Sequence, residues 1–76
     1  MLANKKTIHT SEYRKLIDKL IIARKKANLT QKDVAENLHC SQSYISKIEN
    51  YQIKIDPIKL KQFSEIYQVD INDLFK

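Results

Sequence analysis

The sequence contains no glycine and no tryptophan, and it has one proline and one cysteine among its 76 residues. Without glycine, turns must be marked by helix-capping side chains, which favours short helices with tight connections. Cys40 cannot form an internal disulfide, and with His9 and His39 as the two histidines no zinc-binding spacing can be assembled. We therefore expect a fold that its core alone stabilises, with no metal and no other cofactor.

Long apolar runs are also lacking, since no stretch approaches the ~18 residues that a membrane span needs. Lys5 and Lys6 lie near the start of the chain, but no apolar segment long enough for a secretory signal follows them. These absences predict a soluble, cytoplasmic protein that does not bind membranes. A chain of 76 residues has room for one hydrophobic core and therefore one domain.

Positive charge is what the chain has in excess, with 14 Lys and Arg against 9 Asp and Glu, a net charge of +5. The excess lies in residues 1 to 54, which hold eleven basic and five acidic side chains. This distribution is typical of proteins that contact phosphates, although lysines that merely solvate helix faces would produce it as well. Charge alone leaves both interpretations open.

Apolar residues at three- and four-residue spacing predict a first helix from Thr10 or Ser11 to about Ala27. They are Tyr13, Leu16, Ile17, Leu20, Ile21, Ala23 and Ala27. The preceding residues show no such period. We therefore expect residues 1 to 10 to be a mobile N-terminal arm and residues 11 to 76 to form the domain.

Two short helices are predicted next. Thr30 and Asp33, in a variant of the capping box, begin a second helix of about two turns. Ser41 caps a third helix, from Gln42 to Asn50. Because about three residues join the two helices, they are predicted to form a helix-turn-helix.

The C-terminal third predicts two more helices. Asp56 is an N-cap followed by Pro57 at the first helical position, and Asp70 can cap a last helical turn. The predicted fold is therefore all-α, with five helices, of which helices 2 and 3 form the helix-turn-helix. We expect most of the core to come from Leu16, Leu20, Leu29, Val34, Leu38, Ile45, Ile48, Leu60, Phe63, Ile66 and Val69.

The third predicted helix carries hydrogen-bonding side chains opposite its apolar residues Ile45 and Ile48. On a 3.6-residue helix, one side is shared by Gln42, Ser43, Ser46, Lys47 and Asn50. Gln and Asn can bond bidentately to adenine in the major groove, Lys can donate to guanine, and Ser can bond a base or a phosphate. An ordinary solvated helix face has a similar composition, so polarity alone does not decide the function.

The order of several segments resembles the Xre/Cro family of phage-repressor-like helix-turn-helix domains. The resemblance spans Leu16 to Phe75 and rests on Ala23-Arg24, Leu29-Thr30-Gln31, Val34 to Leu38, Ser41 to Asn50 and Pro57 to Phe75. None of these segments is specific alone, but their order is. The resemblance implies a five-helix, phage-repressor-like DNA-binding domain in which helices 2 and 3 form the DNA-reading unit.

The resemblance also implies contacts with DNA. The positions that commonly contact base edges are occupied by Gln42, Ser43 and Lys47. Positions near the DNA backbone are occupied by Ser41, Tyr44 and Asn50, and we place Ser46 with them. Gln31 matches a position that hydrogen-bonds a DNA phosphate and braces the first residue of helix 3, so it would position the protein without specifying a sequence.

Three further positions match structural features of the family. Arg24 and Glu49 match a frequent ion pair that links helix 1 to helix 3, which makes Arg24 a structural residue rather than a phosphate contact. Ala35 matches the small residue that lets helices 2 and 3 approach closely.

The sequence departs from its relatives at four positions that often carry glycine. These positions hold Asn28, His39, Tyr51 and Gln68. Either these residues adopt a positive φ at a modest cost, or the turns differ locally. Tyr51 could stack near the DNA backbone, cover Ile53 or fill the loop, and packing is the favoured role.

The predicted function is that of a sequence-specific, duplex-DNA-binding transcriptional regulator, with repression as the favoured mode. His39 and Cys40 lack a positioned base and a cleft, so we expect no catalytic residue, no enzyme activity and no small-molecule substrate. Cys40 is interpreted as a small apolar residue under the turn. The alternative function is that of a protein-interaction module or antitoxin-type component, which would keep the fold and bind a partner protein.

A homodimer on DNA is expected, because one short helix contacts only a few base pairs and a second copy roughly 34 Å away would reach the next major-groove face. Two-fold symmetry would make the operator an approximate inverted repeat. The predicted interface is formed by Ile71, Leu74 and Phe75, with Ile53 and Ile55 as a second source. All five side chains could instead pack inside their own subunit.

Overall fold

The computed structural model describes residues 10–76, which form four α helices and one short 3-10 helix. The α helices are α1 (Ser11–Lys26), α2 (Gln31–Leu38), α3 (Gln42–Glu49) and α4 (Pro57–Ile66). No strand occurs within the described part of the chain. The predicted all-α helix-turn-helix fold is therefore confirmed. Apart from Thr10, the predicted mobile arm lies outside the described residues.

The fifth predicted helix is a 3-10 helix, Ile71–Phe75, rather than an α helix. The Asp70 carboxylate accepts a hydrogen bond from the amide of Asn72 at 2.8 Å. The Asp70 carbonyl accepts from the amide of Asp73, three residues on, at 2.9 Å. This i to i+3 bonding winds the five residues more tightly than an α helix, and such segments are short.

Each α helix begins after a side chain that accepts a hydrogen bond from the amide three residues on. These N-cap residues are Thr10, Thr30, Ser41 and Asp56. At α2 the cap is reciprocal, because the Asp33 carboxylate also accepts from the Thr30 amide at 2.9 Å. The hydrogen bonds from the Thr30 backbone and hydroxyl hold the pKa of the Asp33 carboxyl below its usual value.

Each α helix also ends in the same hydrogen-bonded turn. A residue one or two positions after each helix has a positive φ of 55 to 61°, and this residue is Asn28, His39, Tyr51 or Gln68. Its amide and the next amide donate to carbonyls in the last helical turn, as Cys40 does to Ala35 at 3.0 Å. All four turns thus keep the left-handed conformation that glycine favours and place a larger residue in it.

The core lies where α1, α2, α3 and α4 meet. Its most fully buried large side chains are Ile17, Val34, Ile45 and Ile48. Four predicted core residues are instead half-buried at its edge, namely Leu29, Leu38, Ile66 and Val69. Leu29 and Val69 follow positive-φ residues and Leu38 ends its helix, so these three lie at the rim rather than inside.

Candidate nucleic-acid interface

The helix-turn-helix consists of α2 and α3, which pack through their apolar faces. Ala35 of α2 is buried, and its small side chain suits a close approach of the two helices. Between the helices, His39 turns the chain with a φ of 55° and Cys40 packs half-buried against the core. Ser41 then caps α3 by accepting a hydrogen bond from the Tyr44 amide at 3.1 Å. The first turn of α3 is therefore fixed to the end of the connection.

The polar face of α3 is directed to solvent. Its exposed side chains are Gln42, Ser43 and Lys47, and the two capping residues that flank the helix, Ser41 and Asn50, are exposed as well. Ser46 is half-buried and accepts a hydrogen bond from the amide group of Asn50 at 3.2 Å. Tyr44 is also half-buried and packs against the core. Gln42, Ser43 and Lys47 therefore form the open part of this face, whereas Tyr44 lies at its border.

A partly buried polar network links α1, α2 and α3. Arg24 donates to both carboxylate oxygens of Glu49, from Nε at 2.7 Å and from Nη2 at 3.0 Å. Its Nη1 donates to the carbonyl of Leu29 at 2.9 Å. Gln31 Nε2 donates to Oε1 of the same carboxylate at 2.9 Å. One carboxylate of α3 thus holds side chains from the other two helices.

The position of Gln31 differs from what the family resemblance implies. Its amide group contacts Glu49, the last residue of α3, instead of the first residue of that helix. The contact follows from the charge of Glu49, because an ionised carboxylate only accepts hydrogen bonds and therefore orients the NH₂ group of Gln31 toward itself. The second N–H of that amide is not needed for this bond.

The network also perturbs neighbouring ionisable groups. The hydrogen bond to Glu49 raises the pKa of the Arg24 guanidinium, which keeps it charged. Burial is the main factor that raises the pKa of the Tyr67 hydroxyl, and the Glu49 carboxylate adds to it. Tyr67 stacks on Phe63 of α4 with ring centroids 5.7 Å apart. The C-cap residue of α4 is therefore buried close enough to the network for its charges to act on the Tyr67 hydroxyl, which stays neutral.

The loop after α3 is tied to α1 by Tyr13. The Tyr13 hydroxyl accepts from the Ile55 amide at 2.9 Å and donates to the Ile53 carbonyl at 3.3 Å. Ile55 is buried at 6% exposure, so of the two roles considered for it the structure shows packing inside its own subunit. The Tyr13 hydroxyl thus satisfies the Ile55 amide and the Ile53 carbonyl, which would otherwise have to hydrogen-bond water. Ile55 can therefore be buried in the core.

A second tie runs from the loop back to α1 through Tyr51. The Tyr51 hydroxyl donates to the Asp18 carboxylate, and this hydrogen bond raises the pKa of Tyr51. The Arg14 guanidinium lies over the Tyr51 ring, 4.2 Å from its centroid. Of the roles open to Tyr51, the structure therefore shows packing, against the surface of α1 as well as the core.

The sequence predicts no role beside this interface for Arg14, Tyr13 or Asp18. Tyr13 belongs to the predicted apolar stripe of the first helix, and Arg14 and Asp18 are separated from Tyr51 by more than 30 residues. No local spacing signals such a contact. The single unusual feature was a tyrosine at a position that often holds glycine.

The predicted dimer residues differ in exposure. Leu74 is buried at 5%, Ile71 is half-buried, and Phe75 is 65% exposed. Lys19 Nζ donates to the carbonyl of Asp73 at 3.5 Å, which fastens the 3-10 helix to α1. Of the three side chains, Phe75 therefore has by far the largest surface open to a partner.

Two other kinds of site are not found in residues 10–76. Nowhere in this range do three or more His, Cys, Asp or Glu side chains group as metal ligands would. No helix of the same range combines the length and the apolar character required to cross a bilayer.

These features define a DNA-binding module of the helix-turn-helix class. The pair α2 and α3 has the required arrangement, and the second helix has an open face of hydrogen-bonding side chains. The chain belongs to the Xre/Cro-like helix-turn-helix family, whose model, described as helix-turn-helix, matches residues 20–74. This family comprises DNA-binding transcription regulators that are generally not enzymes. No curated protein and no solved structure matches the chain.

Proposed function

We propose that the protein binds duplex DNA sequence-specifically and reads the major groove with α3. The observation that carries this proposal is the open face formed by Gln42, Ser43 and Lys47, opposite the buried Ile45 and Ile48. Glutamine bonds bidentately to adenine, lysine donates to the acceptors of guanine, and serine bonds either partner. An α helix fits the width of the major groove, so these three side chains would reach base edges together.

The DNA backbone would be held by residues around this face. We assign this role to Gln31, Ser41, Tyr44, Ser46 and Asn50. For Gln31, the bond to Glu49 fixes the amide group and leaves its second N–H for a phosphate oxygen. Tyr44 is half-buried, so it would contribute through its hydroxyl at the border of the interface. These residues all lie within residues 1 to 54, which carry the excess of positive charge. That charge supports the assignment, because contacts with phosphates supply much of the affinity for DNA.

We further propose that the protein is cytoplasmic and that its binding to DNA represses transcription. A protein that fills a stretch of major groove excludes other proteins from the same base pairs, and this needs no cofactor, small-molecule substrate or catalytic group. The effect would follow from occupancy of the operator alone.

Anisotropy titration of a labelled genomic duplex at 50 and 200 mM salt tests the proposed activity. We expect affinity to fall steeply with salt, because each phosphate contact releases condensed counterions. Salt-insensitive or absent duplex binding would contradict the proposal and favour the alternative, a module that binds a partner protein.

Substitutions on α3 are expected to change sequence preference. Gln42→Ala and Lys47→Ala each remove a base contact worth about 1 to 3 kcal/mol at one base pair. Gln31→Ala should weaken all sequences more evenly, with little change in the salt slope because Gln31 is neutral. Selection of bound sites from random duplexes measures these preferences.

The matched control is Gln68→Ala, which truncates an exposed glutamine in the turn after α4. It should leave both affinity and preference at the wild-type values. If Gln42→Ala and Lys47→Ala selected the same sites as the wild-type protein, α3 would not be the reading helix.

We also propose that two copies bind an inverted-repeat operator, with Phe75 at their interface. The 65% exposure of this phenylalanine at the C-terminal 3-10 helix supports this placement. Sedimentation of the protein with a palindromic duplex is expected to give two chains per duplex, and Phe75→Ala should lower this ratio at equal protein concentration. A saturated complex with one chain per duplex would contradict the dimer.

A further inference from the structure

Arg14 holds its charged group in a defined place at the surface. The guanidinium carbon lies 4.2 Å from the centroid of the Tyr51 ring. That ring is itself fixed, because its hydroxyl donates to Asp18 and its backbone closes the turn after α3 with a φ of 61°. A long, exposed side chain that would otherwise sample many rotamers is thus held against a rigid aromatic face.

No residue from 10 to 76 occupies the hydrogen-bond donors of Arg14. Within the described residues, no hydrogen bond or ion pair is formed by its guanidinium, whose contact is with the Tyr51 ring. Asp18, one helical turn along α1, is the natural partner, but its Oδ1 accepts from Tyr51 instead. The contact with the ring is made without a hydrogen bond, so the N–H groups of the guanidinium can still donate to another group. This geometry suits bidentate binding of a phosphate.

The location of this group relates it to α3. Tyr51 directly follows Asn50, which is exposed at the end of the reading helix, and the exposed side chains after it are Gln52 and Lys54. The loop that carries them is fixed to α1 at both ends, by Tyr51 and by the bonds of Tyr13 to Ile53 and Ile55. Arg14 therefore adds a preorganised positive charge beside the C-terminal end of α3.

We propose that Arg14, held over the Tyr51 ring, binds a backbone phosphate of the duplex where α3 leaves the major groove. This inference rests on the proposed DNA binding and adds a contact to it. Gln31 would contact the DNA backbone from α2. Arg14 would contact it from α1, with its guanidinium positioned by the loop residue Tyr51. Such a contact strengthens binding to all sequences and does not select bases.

Arg14→Gln tests the charge. We expect the variant to bind all duplexes more weakly, with site preference unchanged and a salt slope smaller by about one unit. With a slope smaller by this amount, the fold-decrease in affinity between 50 and 200 mM salt is about 3 to 4 times smaller than for the wild-type protein. The matched control is Lys61→Gln, which removes one charge from an exposed position on α4 and should keep the wild-type slope.

Tyr51→Leu tests the stacking, because it removes the aromatic face and retains the charge of Arg14. We expect weaker binding, and we expect Arg14→Gln to have a smaller effect in the Tyr51→Leu background than in the wild-type protein. If the two substitutions acted independently, the ring would not be positioning the guanidinium, and the proposal would be overturned.

The two proposals fail in distinguishable ways. Should the wild-type protein bind with normal salt dependence while Arg14→Gln keeps the same affinity and slope, the Arg14 contact is refuted and DNA binding stands. Should the wild-type protein show no salt-sensitive duplex binding, both proposals are refuted together. Thermal unfolding of each variant identifies any loss of binding that arises from unfolding, since Arg14 and Lys61 are exposed and their replacement should leave the transition nearly unchanged.

Discussion

Replacing Glu49 by alanine is expected to lower the free energy of unfolding by about 3 to 5 kcal/mol, a large share of the stability of so small a domain. The Arg24 and Glu49 side chains are only 11% and 9% exposed, so the substitution leaves a guanidinium without its counter-charge in a mostly buried place. Gln31 loses its hydrogen-bond acceptor at the same time. Urea unfolding followed by circular dichroism measures the loss.

A second ion pair within residues 10–76 provides a matched control. Lys76 and Asp73 are 75% and 58% exposed, so Lys76→Ala should lower the free energy of unfolding far less than Glu49→Ala does, because solvent screens an exposed pair. The double variant Arg24→Ala, Glu49→Ala should recover part of the loss, because neither charge is then left unpaired. A loss at Glu49 no larger than that at Lys76 would show that solvent screens the buried pair.

Ile45→Ala is the second substitution with a large expected effect, a loss of about 2 to 5 kcal/mol. Ile45 is 1% exposed and belongs to the core cluster that joins α2, α3 and α1. Truncation removes three carbon atoms from a place with no route for solvent, and the short helices around it can close the cavity only in part. Thermal or urea unfolding of the purified variant gives the value.

Leu38→Ala removes the same number of carbon atoms and serves as the comparison. Leu38 is half-buried at the end of α2, so its loss should fall at or below the lower end of the same range. Equal losses at the two positions would mean that burial does not determine the cost here, and a negligible loss at Ile45 would show that the core lies elsewhere.

The helix starts were accessible to sequence reasoning because the caps are local. Thr30, Ser41 and Asp56 each bond an amide three residues away, so residue type and position are enough to predict them. The apolar periods of α1 and α3 likewise predict their buried faces, because helix geometry alone decides which residues share a side. The 3-10 form of the last helix depends on the geometry of its cap, which residue types do not specify.

The contacts around the loop after α3 could not be predicted. The short alternation of Ile53 and Ile55 carries no signal that Tyr13, about 40 residues earlier, satisfies their backbone groups. In the same way, the pairing of Arg14 with Tyr51 arises only when two helices and a turn are placed in three dimensions. The open face of α3 could be predicted because its residues belong to one helix. The residues that support α3 come from other parts of the chain, so their contacts could not be predicted.

The absence of glycine affects the unfolded chain as much as the folded one. In the native protein, four side-chain-bearing residues adopt the left-handed conformation, each at some energetic cost. In the unfolded chain, the same residues sample fewer backbone conformations than glycine would, so less conformational entropy is lost when the turns form. Part of the stability of this 76-residue chain therefore comes from the smaller conformational entropy of its unfolded state, in which the helix ends are not formed.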